Sequence, residues 1–195
     1  IYVAGNALKQ LFRKLEKIGN GDTIVLAGSI PPSLSDDIYE KILERLQGKN
    51  IRAVVDASGE LLLKVLKYKP FLVKPNNIEL GNLFNVTIDT TEKAAEYALK
   101  LKEAGAVNVL VSMGESGAVL VDENGEIRTK SAFSGTVKNT VGAGDSMVAG
   151  FIAGYLQTKS YSSALRWGTA AGSATAFSRG LADKTTFDRL LKEIS

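Results

Sequence analysis

Short, mostly apolar runs alternate with segments of helical spacing along this chain, and no other feature limits its fold as tightly. Runs at 23–27, 51–57, 71–74 and 107–111 are dominated by apolar residues, the pattern of strands buried on both faces. Between them the spacing predicts helices: 6–18, with Leu8, Leu11, Phe12, Leu15 and Ile18 on one face, then 35–46, 60–68, 78–84 and 91–104. Gly105 supplies a C-terminal stop to the last of these. A hairpin is predicted from 118–121 and 126–130, joined by Asp122-Glu123-Asn124-Gly125. Helices near 145–157, 160–179 and 185–194 complete the pattern. Such alternation predicts an α/β fold of three layers, α/β/α, around a mainly parallel sheet. With 195 residues and no repeat, low-complexity tract or linker, residues 1–195 read as a single domain.

Composition narrows the chemistry. A hydrophobic content of 45% and a net charge of +3, with the basic residues scattered, fit a folded protein and give no nucleic-acid stripe. There is no cysteine, hence no disulfide and no thiolate metal site. There is no histidine either, so acid–base work falls to Asp, Glu, Lys or Tyr. No apolar run reaches the roughly eighteen residues of a membrane span, and the first residues lack a signal-peptide pattern. A cytoplasmic protein is expected. Ile1 stands where an initiator Met would be, and helical spacing is under way by Ala7; the chain reads as the back part of a longer one.

Residues 139–146, Asn-Thr-Val-Gly-Ala-Gly-Asp-Ser, precede an apolar helical stretch. Gly142, Ala143 and Gly144 thus fall where a loop becomes a helix, with Asp145 in the first turn. A helix start leaves backbone N–H groups unpaired and carries partial positive charge, and small residues let an anion approach them. A carboxylate beside an anion site suits a base that activates a nucleophile, which points to phosphoryl transfer. The same octet also suits a plain turn followed by an acid that complements the helix dipole.

Other segments directly after strands share this ambiguity. In Lys74-Pro75-Asn76-Asn77-Ile78-Glu79, Asn76 and Glu79 share a face of the starting helix. They can hold the water shell of Mg²⁺, or form a Pro-Asn turn and N-cap. Ser112-Met113-Gly114-Glu115-Ser116-Gly117 allows close approach of a nucleotide, or simply turns the chain between strands. Gly28-Ser29-Ile30-Pro31-Pro32 presents a hydroxyl to substrate, or connects strand to helix under a Ser33 or Ser35 cap. The small-residue segment 167–180 packs closely against a flat ring or against another helix. Neither a Walker loop nor a dinucleotide glycine fingerprint is present.

Taken together and in this order, the loops resemble one family. NTVGAGDSMVAGF, VKPNNIEL, GSIPPSLSDDIY and VSMGESGAVLV look like the signatures of the ribokinase-like, or PfkB, carbohydrate kinases. Within that family they resemble the sugar-phosphate branch, in the Lys-Pro-Asn form typical of 1-phosphofructokinases and tagatose-6-phosphate kinases. The resemblance covers essentially the whole chain. It implies a Rossmann-like, ribokinase-like fold and ATP-dependent phosphorylation of a ketohexose phosphate. Fructose 1-phosphate going to fructose 1,6-bisphosphate is the first substrate reading and tagatose 6-phosphate the second. Asp145 would be the catalytic base and Gly142, Ala143 and Gly144 the anion hole, with Thr140 at its mouth. Asn76 and Glu79 would organise Mg²⁺ on ATP, mostly through water. Lys74 would approach the nucleotide phosphates, Ser112, Gly114 and Gly117 would line the nucleotide, and the segment from Gly172 to Ser178 the adenine. Ser29 would contact the phosphate already on the substrate.

Two departures accompany the resemblance. Family members begin with about a hundred further residues (a size typical of a domain portion) that hold the first strands, most sugar-binding residues and a β-sheet lid. The chain is expected to lack the N-terminal strands and lid, and with the lid the homodimer contact of relatives. It would then bind ATP weakly and transfer phosphate poorly, which leaves a catalytically weak nucleotide-binding fragment as the contrasting reading. Ser33 also stands where many relatives carry Gly.

Overall fold

The computed structural model of the chain describes residues 5–193. Its elements in order are α1 (Gly5–Leu15), β1 (Thr23–Ala27), α2 (Ile38–Arg45), β2 (Arg52–Asp56), α3 (Gly59–Val65), β3 (Leu72–Val73), α4 (Asn77–Phe84) and α5 (Thr91–Glu103). There follow β4 (Asn108–Ser112), β5 (Ala118–Val121), β6 (Ile127–Lys130), α6 (Ala143–Thr158), α7 (Tyr161–Ala176) and α8 (Lys184–Lys192). The strands form one sheet in the order β1-β2-β3-β4-β5-β6. β1 to β4 run parallel, while β5 and β6 are antiparallel to their neighbours, the predicted hairpin.

Parallel strands taken in sequential order, with right-handed crossovers, put the connecting helices on one face. Accordingly Leu26, Val55, Val73, Val109, Val111, Val119 and Val121 pack with Ile42 of α2, Leu62 of α3, Leu80 of α4 and Leu101 of α5. The opposite face, Val54, Leu72, Leu110, Ala118 and Leu120, is covered by Met147, Val148 and Phe151 of α6 and Ala164 and Leu165 of α7. The α/β/α sandwich is therefore as the alternation predicts. Among the described residues no helix is long and apolar enough to cross a membrane.

Some boundaries differ from the sequence expectation for local reasons. β3 keeps only two residues, because Pro70 and Pro75 flank it and carry no N–H for the ladder. α2 starts at Ile38 rather than at 35, after turns in which Leu34 N–H bonds Pro31 O (2.9 Å) and Ile38 N–H bonds Ser35 O (3.1 Å). Its N-cap is Asp37, not Ser33 or Ser35. The predicted helix 60–68 ends as a 3₁₀ turn over Leu66–Tyr68. The last helix stops at Lys192, and residue 194 of its predicted span lies outside the described residues. Gly105 is the stop expected of it: Ala106 N–H bonds Leu101 O at 3.1 Å, and a Cβ at Gly105 would lie 2.3 Å from Leu66 O.

α6 and α7 approach more closely than side chains normally allow. A Cβ at Gly150 would sit 2.6 Å from Trp167 O and 2.7 Å from Ala171 Cβ. At Gly168 it would meet Met147 O at 2.9 Å, and at Gly172 Ala143 O at 3.2 Å. Between the two readings of the small-residue segment, helix-to-helix packing accounts for these glycines. Two effects oppose each other at Gly150. Alanine gains about 1 kcal/mol in helix propensity, while forcing a methyl group into a filled interface costs about 1–3 kcal/mol. The obstacle is backbone, which yields poorly, so packing wins. Gly150→Ala should lower stability by up to about 2 kcal/mol, measured as an earlier urea midpoint; a later midpoint would show that the helices separate freely.

Candidate active site

Four parallel strands end on the same edge of the sheet, and each delivers a polar residue there. β1 leads into Gly28 and the exposed Ser29, β2 ends on Asp56, β3 is followed by Lys74, and β4 ends on Ser112. Neighbouring strands lie about 4.8 Å apart, so these residues form a row. Asn76 continues the pairing of β3 as an isolated bridge to Ser112, and Ser112 N–H bonds Pro75 O at 3.2 Å. Carboxyl ends of parallel strands are where ligands gather in open α/β sheets.

The first turn of α6 lies over this row. Gly142 is its N-cap in the left-handed conformation, φ 80°, which favours glycine; a Cβ there would also meet Leu181 Cδ2 at 2.8 Å, the movable end of an exposed side chain. Ser146 N–H makes the first bond of the helix, to Gly142 O at 2.9 Å. Ala143 N–H is taken by Thr140 O at 3.1 Å. Among the described residues the N–H groups of Gly142, Gly144 and Asp145 have no acceptor, so Asp145 takes the place of Ala143 beside the two glycines as a free donor of the turn. The Asp145 side chain is exposed. Loop 136–142 is held down from behind: Lys138 and Asn139 N–H both bond Ala176 O, at 2.8 and 3.2 Å, and Asn139 Oδ1 accepts from Val141 N–H at 3.0 Å.

Lys74 joins row and turn. It is 5% exposed, and its Nζ lies 3.2 Å from Asp56 Oδ1. A Cβ on Gly144 would come within 3.1 Å of the same nitrogen, so the ammonium rests against the start of α6. Burial pushes the Asp56 carboxyl upward in pKa; Lys74 pulls it back, and Asp145 and Glu79 add to the rise. One buried cation thus stands among three acids beside the helix start whose N–H groups lack acceptors.

Asn76 and Glu79 form a complete capping box on α4. Asn76 Oδ1 accepts from Glu79 N–H at 2.8 Å, and Glu79 Oε2 accepts from Asn76 N–H at 2.8 Å. The cap reading is therefore realised, with the second Glu79 oxygen outside that box. Among the described residues no three acids are placed to cage a metal ion. Hard carboxylate oxygens without a protein cage fit Mg²⁺, which keeps several waters and binds through phosphates.

The remaining candidates divide. Gly114 opens a 3₁₀ turn after β4 with free space beside it. Gly117 has a packing reason: a Cβ there would lie 2.0 Å from Lys130 O. Gly172 faces Ala143 O in the helix interface, and Ser178 Oγ donates to Ala174 O at 2.8 Å. Ser29 lies at the end of the edge strand β1, away from the Lys74–Gly144 contact. Two residues escaped the sequence reading. Asp56 follows the same rule as the others, a polar residue at a strand end, and was legible in Val-Val-Asp-Ala-Ser-Gly. Tyr39 carried no local signal: its hydroxyl reaches from α2 to donate to Ala27 O or Gly28 O, at 2.8 and 3.0 Å, and so fixes the root of the Ser29 loop.

Comparison with known proteins identifies the family. The profile of the pfkB family carbohydrate kinases matches residues 1–186. The chain is 44% identical over 192 residues to a 1-phosphofructokinase of Bacillus subtilis, covering 98% of this chain and 63% of that protein. It is 35% identical to a D-tagatose-1-phosphate kinase of Bacillus licheniformis, over 95% of this chain and 61% of that one. The structure of phosphofructokinase-2 from Escherichia coli in complex with substrates and products superposes with a TM-score of 0.90 at 30% identity, over 97% of this chain and 62% of that one. The chain thus spans about three-fifths of the length of these relatives. From the match over residues 1–186, the chain belongs to the pfkB family of carbohydrate kinases.

Proposed function

We propose that this chain is the nucleotide-binding and phosphoryl-transfer portion of an ATP-dependent sugar-phosphate kinase. The observation that carries the reading is the buried Lys74 ammonium resting against Gly144 in the first turn of α6, one residue before the exposed Asp145. Phosphoryl transfer asks for positioning and charge stabilisation more than for covalent help, and this turn offers both. The free N–H groups of Gly142, Gly144 and Asp145 would receive the γ-phosphoryl group, with Lys74 beside it. Asp145 takes the proton from a primary hydroxyl of the sugar. The hydroxyl oxygen then bonds to the γ-phosphorus as the bond to the β–γ bridging oxygen breaks, and ADP leaves. Asn76 and Glu79 would hold the water shell of Mg²⁺, which would supply charge neutralisation to the phosphates when bound. Ser112, Gly114 and Gly117 border the nucleotide, the 172–178 segment its base, and Ser29 the phosphate already on the sugar.

Fructose 1-phosphate is the substrate best supported, by the name of the Bacillus subtilis relative. A ketohexose 1-phosphate of the tagatose series is the second reading, from the name of the Bacillus licheniformis relative. Neither relative is named for tagatose 6-phosphate. Both names share the phosphate on C1 and a free hydroxyl on C6, so the first assay compares the two 1-phosphates.

Mg·ATP at about a hundred times its Kd should stabilise the chain by about 2.7 kcal/mol, which raises Tm by roughly 5–10 °C. A melting scan without any Mg·ATP-dependent shift would sink the reading. Asp145→Asn should keep that shift yet lose about 10²–10⁴-fold in transfer to fructose 1-phosphate, the usual scale of general-base loss. Turnover of the unaltered chain should fall far below that of a full-length relative, since it spans only about three-fifths of such proteins; equal turnover would overturn this expectation.

A further inference from the structure

Asp56 poses a problem that the kinase reading leaves open. A carboxylate at the edge of a polyanion site opposes binding of that polyanion, and this one is costly in itself. Its side chain is 16% exposed, and it shares its surroundings with Asp145 and Glu79. Among the described residues its one ion-pair partner is Lys74, at 3.2 Å, whose side chain is 6% exposed. The two residues stand at adjacent strand ends, with Lys74 N–H bonded to Val55 O at 3.2 Å. The Asp56 backbone is likewise fixed: Gly28 N–H bonds Asp56 O at 3.2 Å, and Ala27 lies opposite it in register.

The geometry points to Asp56 as the positioning residue for Lys74, holding the ammonium at the first turn of α6 so that it meets the terminal phosphates of the nucleotide. A lysine carries its charge on four flexible methylenes. Without a fixed counter-ion the Nζ would swing toward solvent or toward Glu79 or Asp145, the other acids of the mouth. With Asp56 behind it and Gly144 in front, the ammonium is confined to a gap that a Cβ at position 144 would narrow to 3.1 Å. Confinement lowers the ordering cost when phosphate arrives, which is how preorganisation strengthens binding. The role rests on the kinase reading and assigns Asp56 no contact with substrate.

The sign of one substitution separates this role from its rivals. A bystander carboxylate only repels ATP, so Asp56→Asn would tighten binding. A positioning carboxylate does the reverse. Titration calorimetry with Mg·ATP on the 195-residue chain should find Asp56→Asn about tenfold weaker, the scale of one charge-assisted hydrogen bond to phosphate. In a Lys74→Met background the same change should cost nothing or bind slightly tighter, since no ammonium is left to hold. Binding by Asp56→Asn as tight as the unaltered chain, or the same tenfold loss in both backgrounds, overturns the proposal. Should Asp56→Asn fail to fold, Asp56→Glu keeps the counter-charge but displaces it by a methylene. A several-fold weaker Kd then supports the role, and an unchanged Kd refutes it. An unaltered chain that binds no Mg·ATP at all is a different result: it removes the kinase reading and this inference with it.

Discussion

The close approach of α6 and α7 is the contact on which the site depends. Gly150 and Gly168 bring the two backbones to separations that a Cβ would violate, and Gly172 to one that a Cβ would crowd, and that fixes both helices over the face formed by Val54, Leu72, Leu110 and Leu120. The position of the first turn of α6 follows. Its loop is anchored on the end of α7 through Ala176 O, and Thr175 Oγ1 donates to Ser146 Oγ at 2.8 Å. The unpaired N–H groups are therefore held by a packed helix pair rather than by a free loop. Preorganised donors of this kind cost little reorganisation when charge develops near them.

Electrostatics then decide what the turn can hold. The carboxylates of Asp145 and Glu79 act on that of Asp56 at the end of β2, opposed by Lys74. Neither sign dominates. A site that was purely basic would bind any polyanion, while a purely acidic one would repel nucleotide. A mixture that contains one buried cation and hard oxygens without a cage favours a polyanion that brings its own divalent cation. With no histidine in the chain, acid–base work falls to Asp, Glu, Lys or Tyr, and among the acids of the mouth Asp145 is the one set in the first turn of α6.

Much of this was legible in the sequence, and the rest was hidden for physical reasons. Strand and helix types follow from local periodicity, so the order of elements, the hairpin around Asp122–Gly125 and the Gly105 stop could all be read. Boundaries depended on details that periodicity averages out, such as the two prolines that shorten β3 and the turns that delay α2. The capping box could be read as a box, because Asn76 and Glu79 bond each other across three residues. Tyr39 could not, since its hydroxyl bonds backbone carbonyls eleven and twelve residues away. Asp56 lies between: its place at a strand end was visible, but its partner was not, because Lys74 joins it across the sheet rather than along the chain.

Glycine carried the least certain information in the sequence, and the structure shows why. Gly117 and Gly142 both stand beside proposed ligand-binding segments, yet Gly117 is required where the backbone passes Lys130 O, whereas Gly142 starts a helix whose Gly144 and Asp145 N–H groups find no acceptor among the described residues. The residue type is the same, but the groups it leaves unpaired differ. A glycine that relieves a contact ends its role in packing. A glycine that opens a helix start exposes donors that only a ligand or water can satisfy. What sets Gly142 apart is therefore the set of N–H groups that the fold leaves without an acceptor among the described residues, with Lys74 placed against Gly144 beside them. That accounting cannot be made from spacing alone, because it needs the position of every competing carbonyl.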